Sequence, residues 1–262
     1  PYDNGFAAQV AWTFGESYKI FDGTSSQNSS QWRNIQTVNG KNSDLPVTRS
    51  DFALGNRITA NVSYELRWND NVKTTFGLFY EGRQSNPYSF IYREGRDLLN
   101  DDSRDNALIY IPENIGEIVL VGDDPVAEWQ RLDTFIESVD YLRERRGQYA
   151  ERNGSRGIWS HVVDLKILQD FSLDWGGKKH TFQISADMFN FTNFINEDWG
   201  KRRFIRSEVS PLTTVSTGDT PTFAINNGVV APDGTPTIIE LDDNGFASSR
   251  WQAQIGLRYI FN

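Results

Sequence analysis

Two histidines, His161 and His180, are the side chains of this sequence whose ordinary pKa lies near neutrality, and there is no cysteine. His161 follows Ser160 and precedes Asp164 by three residues, the residue types of a nucleophile, its base and an orienting carboxylate. In an extended segment neighbouring side chains point to opposite faces, so Ser160 and His161 do not meet, and no nucleophile elbow accompanies them. The chain is therefore not expected to be an enzyme. Asp101, Ser103 and Asp105 alternate like the opening of a calcium loop, which makes Ca²⁺ the one candidate cofactor. Against it, Asn106 stands where glycine is expected and no glutamate occupies the twelfth position, so turn chemistry is the simpler reading. Without cysteine there is no thiol catalysis, thiolate metal site or disulfide.

The elements that carry these residues are strands. Net charge is −9, which argues against a nucleic-acid partner. The hydrophobic fraction is 38% and mean hydropathy is −0.55. No apolar run approaches the ~18 residues of a spanning helix. A transmembrane barrel hides its span in alternation, however, and the 13% of aromatic residues suits interfacial girdles. The last twelve residues show this best. Trp251, Ala253, Ile255, Leu257, Tyr259 and Phe261 share one face, and Gln252, Gln254, Gly256, Arg258, Ile260 and Asn262 the other.

Six such strands are predicted, at about 6–17, 52–68, 72–84, 160–173, 179–191 and 248–261. Asn69-Asp70-Asn71 and Asp174–Lys178 are short turns, whereas 19–51, 84–157 and 197–246 are long excursions. Short and long connections alternate strictly, as between the two sides of an outer-membrane barrel. Within the second excursion Ala107–Pro112 reads as a strand. A helix is expected from a cap at Asp124 and a first position at Pro125, with Val126, Trp129, Leu132, Ile136 and Val139 at helical spacing. That helix either packs on its own loop or moves as a lid. The segments 22–50 and 197–245 show no period and read as loops. Trp32, Tyr88, Phe90, Trp129 and Trp199 are the candidate ligand-binding aromatics of these loops. Arg57, Glu65, Arg67, Glu81, Arg83, Asp164, Lys166, Asp170, Asp187 and Arg258 fall on the polar faces, where charges of mixed sign are expected to pair.

The fold class is thus all-β, the last six antiparallel strands of a large transmembrane β-barrel. Six strands are too few, since about eight is the smallest membrane barrel. Pro1 is no translation start, so the chain is expected to be processed or part of something longer. The terminal strand should pair with Phe182–Met188 on one side, and on the other with a first barrel strand that this sequence does not contain. A closed six-stranded sheet, in which it pairs with Phe6–Phe14, would overturn that reading.

The stretch VDLKILQDFSLDWGGKKHTFQISADMFNFTNFINEDWG, from Val163 to Gly200, resembles the penultimate hairpin of TonB-dependent outer-membrane transporters of the Oar-like, SusC-related type found in Bacteroidota. Asp22–Asn34, Ser50–Ile58, Ser103–Pro112 and the aromatic C-terminus are similar to the same group, so the resemblance covers nearly the whole chain. It implies a 22-stranded barrel in the Gram-negative outer membrane, closed by an N-terminal plug and preceded by a carboxypeptidase-regulatory-like domain. It further implies energy from the TonB-ExbB-ExbD system, and outer-membrane lipids, the chain's own plug and a surface lipoprotein as partners. Trp251, Ile255, Leu257, Tyr259 and Phe261 would form the outer-membrane assembly signal, although the family often ends on Phe and here Asn262 follows. Two functions fit the resemblance. One is active import of a bulky nutrient, peptide or protein-derived. The other is a structural or docking subunit of an assembly or secretion complex with surface lipoproteins. A soluble β-rich binding domain is a third, bottom-up reading.

Overall fold

The computed structural model describes residues 4–23, 25–242 and 249–261. Ten strands organise it: β1 (Phe6–Gly15), β2 (Gly55–Asn69), β3 (Val72–Gln84), β4 (Pro87–Glu94), β5 (Ser155–Arg156), β6 (Trp159–Trp175), β7 (Lys178–Phe189), β8 (Glu208–Ser216), β9 (Thr222–Ile225) and β10 (Gln252–Phe261). Four helices accompany them: α1 (Asn28–Arg33), α2 (Pro125–Ser138), α3 (Asp140–Arg143) and α4 (Phe191–Ile195). The predicted end of the first strand and start of the second lie a few residues beyond the observed ones. The start placed at 248 lies outside the described residues, as do Pro1 and Asn262.

Six strands form one antiparallel sheet in the order β1-β2-β3-β6-β7-β10. Its register runs straight across, with Phe6, Tyr64, Phe76, Ile167, Ala186 and Ile255 in a single row. The next row carries Ala7, Ser63, Gly77, Lys166, Asp187 and Gln254. Period two therefore separates an apolar and a polar face over the whole sheet. β10 pairs with β7 as expected, Phe182 opposite Tyr259 and Met188 opposite Ala253. Among the described residues it does not pair with β1, so the sheet stays open.

Burial is inverted relative to a soluble sheet. Val10 is 72% exposed, Ile255 79% and Leu257 83%. On the polar face Asp170 is buried, and the charges pair there: Arg57 with Glu81 at 2.6 Å, Lys166 with Asp187 at 2.7 Å, and Glu65 with both Arg67 and Lys73. A polar pair, Thr74 and Gln169, sits on the apolar face and is covered. Trp68 Nε1 donates to Thr74 Oγ1 at 2.8 Å, and that hydroxyl donates to Gln169 Oε1 at 2.6 Å, leaving Thr74 buried under the indole.

The long excursions build a second unit with its own core, which corrects the reading of 197–245 as period-free loop. β4 lies between β8 and β5, and β9 completes a four-stranded sheet. β4 and β8 run parallel although they belong to different excursions. Their register slips between Val209 and Leu212, where Pro211 cannot donate to the ladder. The core joins Tyr88, Phe90 and Ile111 of the second excursion to Val209, Leu212 and Phe223 of the third. Asp124 caps α2, its Oδ1 accepting from Val126 N at 3.0 Å and Ala127 N at 3.2 Å. The buried face of α2 is Leu132, Phe135 and Ile136, whereas Val126, expected on that face, is exposed. The helix packs on its own excursion and on the third as well, Arg131 donating to the Ala231 carbonyl and to Asn227 Oδ1, both at 2.7 Å. Arg146 fastens it by reaching Asp133 at 2.6 Å, Glu137 at 2.7 Å and the Pro112 carbonyl at 3.0 Å.

The first excursion is tied to the second through Glu16. Arg49 Nε donates to it at 3.1 Å and Arg156 at 2.8 Å, while Arg49 also reaches the Asn153 carbonyl and Arg156 the Ala53 carbonyl. Burial pushes the Glu16 carboxyl up, but Arg156 and Arg49 outweigh it and hold its pKa below the ordinary 4.5. A depressed carboxylate pKa stabilises the fold above the unfolded value and stops doing so as pH falls through the folded one. Acidification below about 4.5 should therefore loosen this clamp, raising hydrogen exchange at the Ser50 and Ala53 amides. A Glu16→Gln variant should exchange faster at neutral pH and show a flatter acid response. Identical pH profiles for the two proteins would count against the clamp.

Candidate functional site

A cavity of about 1380 Å³ opens where the polar face of the six-stranded sheet meets the second unit. Arg57, Arg83 and Ser160 reach it from the strand ends, Asp51 to Leu54 from the first excursion, Arg93 from β4, and 202–210 from the third excursion. The strands place these groups by register. Arg57 and Arg83 are directly opposed across β2 and β3, and Ser160 is opposed to Arg83 across β3 and β6. The Ser160 and Ser85 hydroxyls both donate to the Arg203 carbonyl, at 3.4 and 3.3 Å, so the segment Arg202–Arg206 is moored beside the arginine pair.

The electrostatics of the lining are uneven. Among the described residues five acids line it, Asp51, Asp105, Glu208, Glu240 and Asp242; Glu240 pairs with Arg206, Glu208 accepts from the Gln36 amide at 2.8 Å, and Asp51 from the Asn153 amide at 2.5 Å. Arg57 is held by Glu81. The guanidinium groups of Arg83, Arg93 and Arg202, by contrast, form no ion pair or hydrogen bond among the described residues. Phe52, 75% exposed, and Leu54 add apolar surface at the same cavity. Arg202, Arg203 and Arg206 are not among the candidates that the sequence alone offers. The available signal is the run Lys201-Arg202-Arg203-Phe204-Ile205-Arg206, a dense basic cluster in a chain of charge −9.

The residues singled out in the sequence are dispersed. His161 lies on the apolar face, its Nδ1 2.8 Å from the Tyr80 hydroxyl and its ring stacked with Tyr80 and Trp159. Ser160 points the other way, into the cavity. Tyr80 and His161 lie over Gly82, whose bare Cα leaves the space they occupy. His180 meets the Tyr259 hydroxyl and, at 3.1 Å, the Trp175 carbonyl. Tyr88 and Phe90 are buried in the core of the second unit, and Trp129 packs against it, so these three hold the unit together and Tyr88 and Phe90 offer no ligand surface. Trp32 and Trp199 are exposed, but neither lines the cavity.

Asp101 and Ser103 of the Asp101-Ser103-Asp105 alternation are surrounded by nitrogen donors. The Asp101 carboxylate accepts from Lys41 N at 2.7 Å, Ser103 N at 3.0 Å and Asn106 Nδ2 at 3.1 Å, and the Lys41 ammonium lies 3.3 Å from Ser103 Oγ. A cationic side chain and three N–H donors are the wrong surroundings for Ca²⁺, which takes oxygen ligands. Asn100, Asp102 and Asp105 adopt positive φ, as turn residues do. Among the described residues no three His, Cys, Asp or Glu side chains are arranged to hold a metal ion.

The Asn-rich end of the β6–β7 hairpin forms a compact lock. Asn190, at φ 52°, donates from its backbone to Asp164 Oδ1 at 2.7 Å and from its amide to the Gly200 carbonyl at 3.0 Å. Asn193 donates to the Glu197 and Trp199 carbonyls, both at 2.9 Å, and accepts from Trp251 N at 3.3 Å. Phe194 meets the Trp251 ring edge-on at 5.1 Å. The lock thus fixes where β10 enters the sheet. Searches against protein-family models, curated proteins and solved structures find no match to this chain.

Proposed function

We propose that this chain forms part of the wall and mouth of an outer-membrane β-barrel transporter that imports a bulky nutrient with energy from TonB. The observation that carries the reading is the inverted alternation: an apolar face left exposed over all six strands, and a polar face on which most of the charges pair, Arg57 with Glu81 and Lys166 with Asp187 among them. Two aromatic belts border that face. Trp12, Tyr80, Trp159, His161 and Trp251 mark the end beside the long excursions; Trp68, Phe171, Trp175, Tyr259 and Phe261 mark the end beside the short turns. From His161 to Phe171 is ten residues, or ~33 Å of strand. At the tilt usual in membrane barrels this spans roughly 25 Å, the height of an outer-membrane apolar band. Among the described residues β1 and β10 are the edges of the sheet, which suits a wall that continues, since an open edge in lipid would strand backbone donors and acceptors. Import, rather than docking alone, is favoured by the cavity at the mouth, which has unengaged cations facing it.

The test is expression of the intact protein in a Gram-negative host. Recovery in the outer membrane and heat-modifiable migration on a gel support the barrel, and loss of uptake on removing TonB supports import. Recovery as a soluble protein would overturn the reading.

A further inference from the structure

We propose that the arginine-lined cavity at the mouth recognises an acidic peptide through its carboxylates. The proposal deepens the transport reading and rests on it for the direction in which the cavity faces.

Arg57 and Arg83 stand directly opposite one another across β2 and β3. Like charges so placed repel, and a fold gains nothing from them unless an anion comes between or beside them. Glu81 answers Arg57 alone. Arg83 is left without a partner among the described residues, and so are Arg93 and Arg202, which enter the same cavity from β4 and from the third excursion. No acid of the lining forms an ion pair with them among the described residues: Glu240 is paired with Arg206, and Asp51 and Glu208 accept from the Asn153 and Gln36 amides, while Asp105 and Asp242 also border the cavity. Nor is the Arg202–Arg203 segment placed by chance: two hydroxyls, from Ser85 and Ser160, hold its backbone next to Arg83. A chain of net charge −9 thus presents to one space three guanidinium groups that form no ion pair among the described residues, alongside the carboxylates of Asp51, Asp105, Glu208 and Asp242.

Guanidinium matches a carboxylate by two parallel hydrogen bonds, and a partly enclosed site screens that interaction less than open water does. The arginines come from three separate segments around about 1380 Å³, more than the ~300–1000 Å³ of a usual small-molecule pocket. Such a site fits an elongated ligand with several anionic groups better than a single small anion. Among the described residues the lining holds no Trp or Tyr, the rings on which sugar faces commonly stack, whereas Phe52, Leu54, Val229 and Ile238 provide apolar contacts for side chains. A peptide rich in Asp and Glu answers both features.

The probe is a fluorescently labelled hexaglutamate, titrated into the intact protein in detergent micelles at two salt concentrations. Binding that weakens with salt, with hexalysine showing none, is the expected result. Arg83→Gln and Arg202→Gln should each weaken binding about tenfold or more without lowering thermal stability, since neither guanidinium has a partner to lose. Lys178→Gln, at the opposite end of the strands, should bind like the parent. Equal binding by all variants, or no binding of hexaglutamate, overturns the proposal. Displacement by inorganic phosphate at equal concentration would show a simple anion site, and preference for an oligoglucuronate would show an acidic glycan site; either overturns the peptide assignment. Membrane recovery and heat-modifiability are read on the same preparations, so failure of the ligand and failure of the barrel are separately visible.

Discussion

Arginine in place of Ile255 is expected to abolish the folded, heat-modifiable form of the intact protein, while arginine in place of its neighbour Gln254 leaves it. Ile255 is 79% exposed and lies in the row of Phe6, Tyr64, Phe76, Ile167 and Ala186, midway between the two aromatic belts. If this face met water, the substitution would remove almost no packing, and a change within about 0.5 kcal/mol would follow, as at most surface positions. If it meets hydrocarbon, a cation at mid-depth costs about 2–4 kcal/mol. Gln254 projects to the polar face opposite Asp187, where a new guanidinium has a carboxylate partner nearby. The two positions differ by one residue, so chain location and strand propensity are matched. Urea unfolding in detergent and gel migration in membranes give the measurement. Similar behaviour of the two variants would sink the membrane reading, whatever the resemblance suggests.

Gly200→Ala should destabilise the protein by about 3 kcal/mol and free the start of β10. Gly200 has φ +64°, and a Cβ there would lie 1.8 Å from Asn190 Oδ1. The left-handed backbone alone costs an alanine ~1–2 kcal/mol. Displacing the Asn190 amide, which is buried, forfeits its bond to the Gly200 carbonyl and adds ~1–3 kcal/mol. Gly176→Ala isolates the first contribution, because Gly176 has φ +62° but nothing within 4 Å of where an alanine methyl would stand. Hydrogen exchange at the Trp251 amide, which donates to Asn193, reports the second. If Gly200→Ala and Gly176→Ala cost the same, the lock is not what holds the terminal strand.

The six strands are legible in the sequence because each alternates over ten or more residues, and a one-residue slip would reverse its faces. The β2–β3 and β6–β7 pairings follow from the turns at Asn69–Asn71 and Asp174–Lys178. The capped start of α2 is legible for a similarly local reason, the Asp124-Pro125 pair. The second unit is not. β8 is interrupted by Pro211 and rich in Ser and Thr, and its pairing with β4 joins residues such as Tyr92 and Leu212, far apart in the chain. No local period encodes a parallel pairing of that kind. The same distance hides the cavity, whose arginines are ordinary singly and form a cluster only once four segments meet. Tyr88 and Phe90, ligand aromatics by residue type alone, are core residues because β4 is central in its sheet.

The parallel contact of β4 with β8 also sets a timetable. β4 is made early, yet its neighbour arrives only after both strands of the β6–β7 hairpin have been synthesised. Closing a span of that length is entropically slow and precedes any gain from the core it completes. Until then Phe90 and Tyr92 lack the residues that bury them, Val209 and Phe223 among others. The second unit therefore completes its core late, and a pulse of hydrogen exchange during refolding should find β4 protected no sooner than β8. A chaperone that shields such a segment would have its work concentrated in that interval.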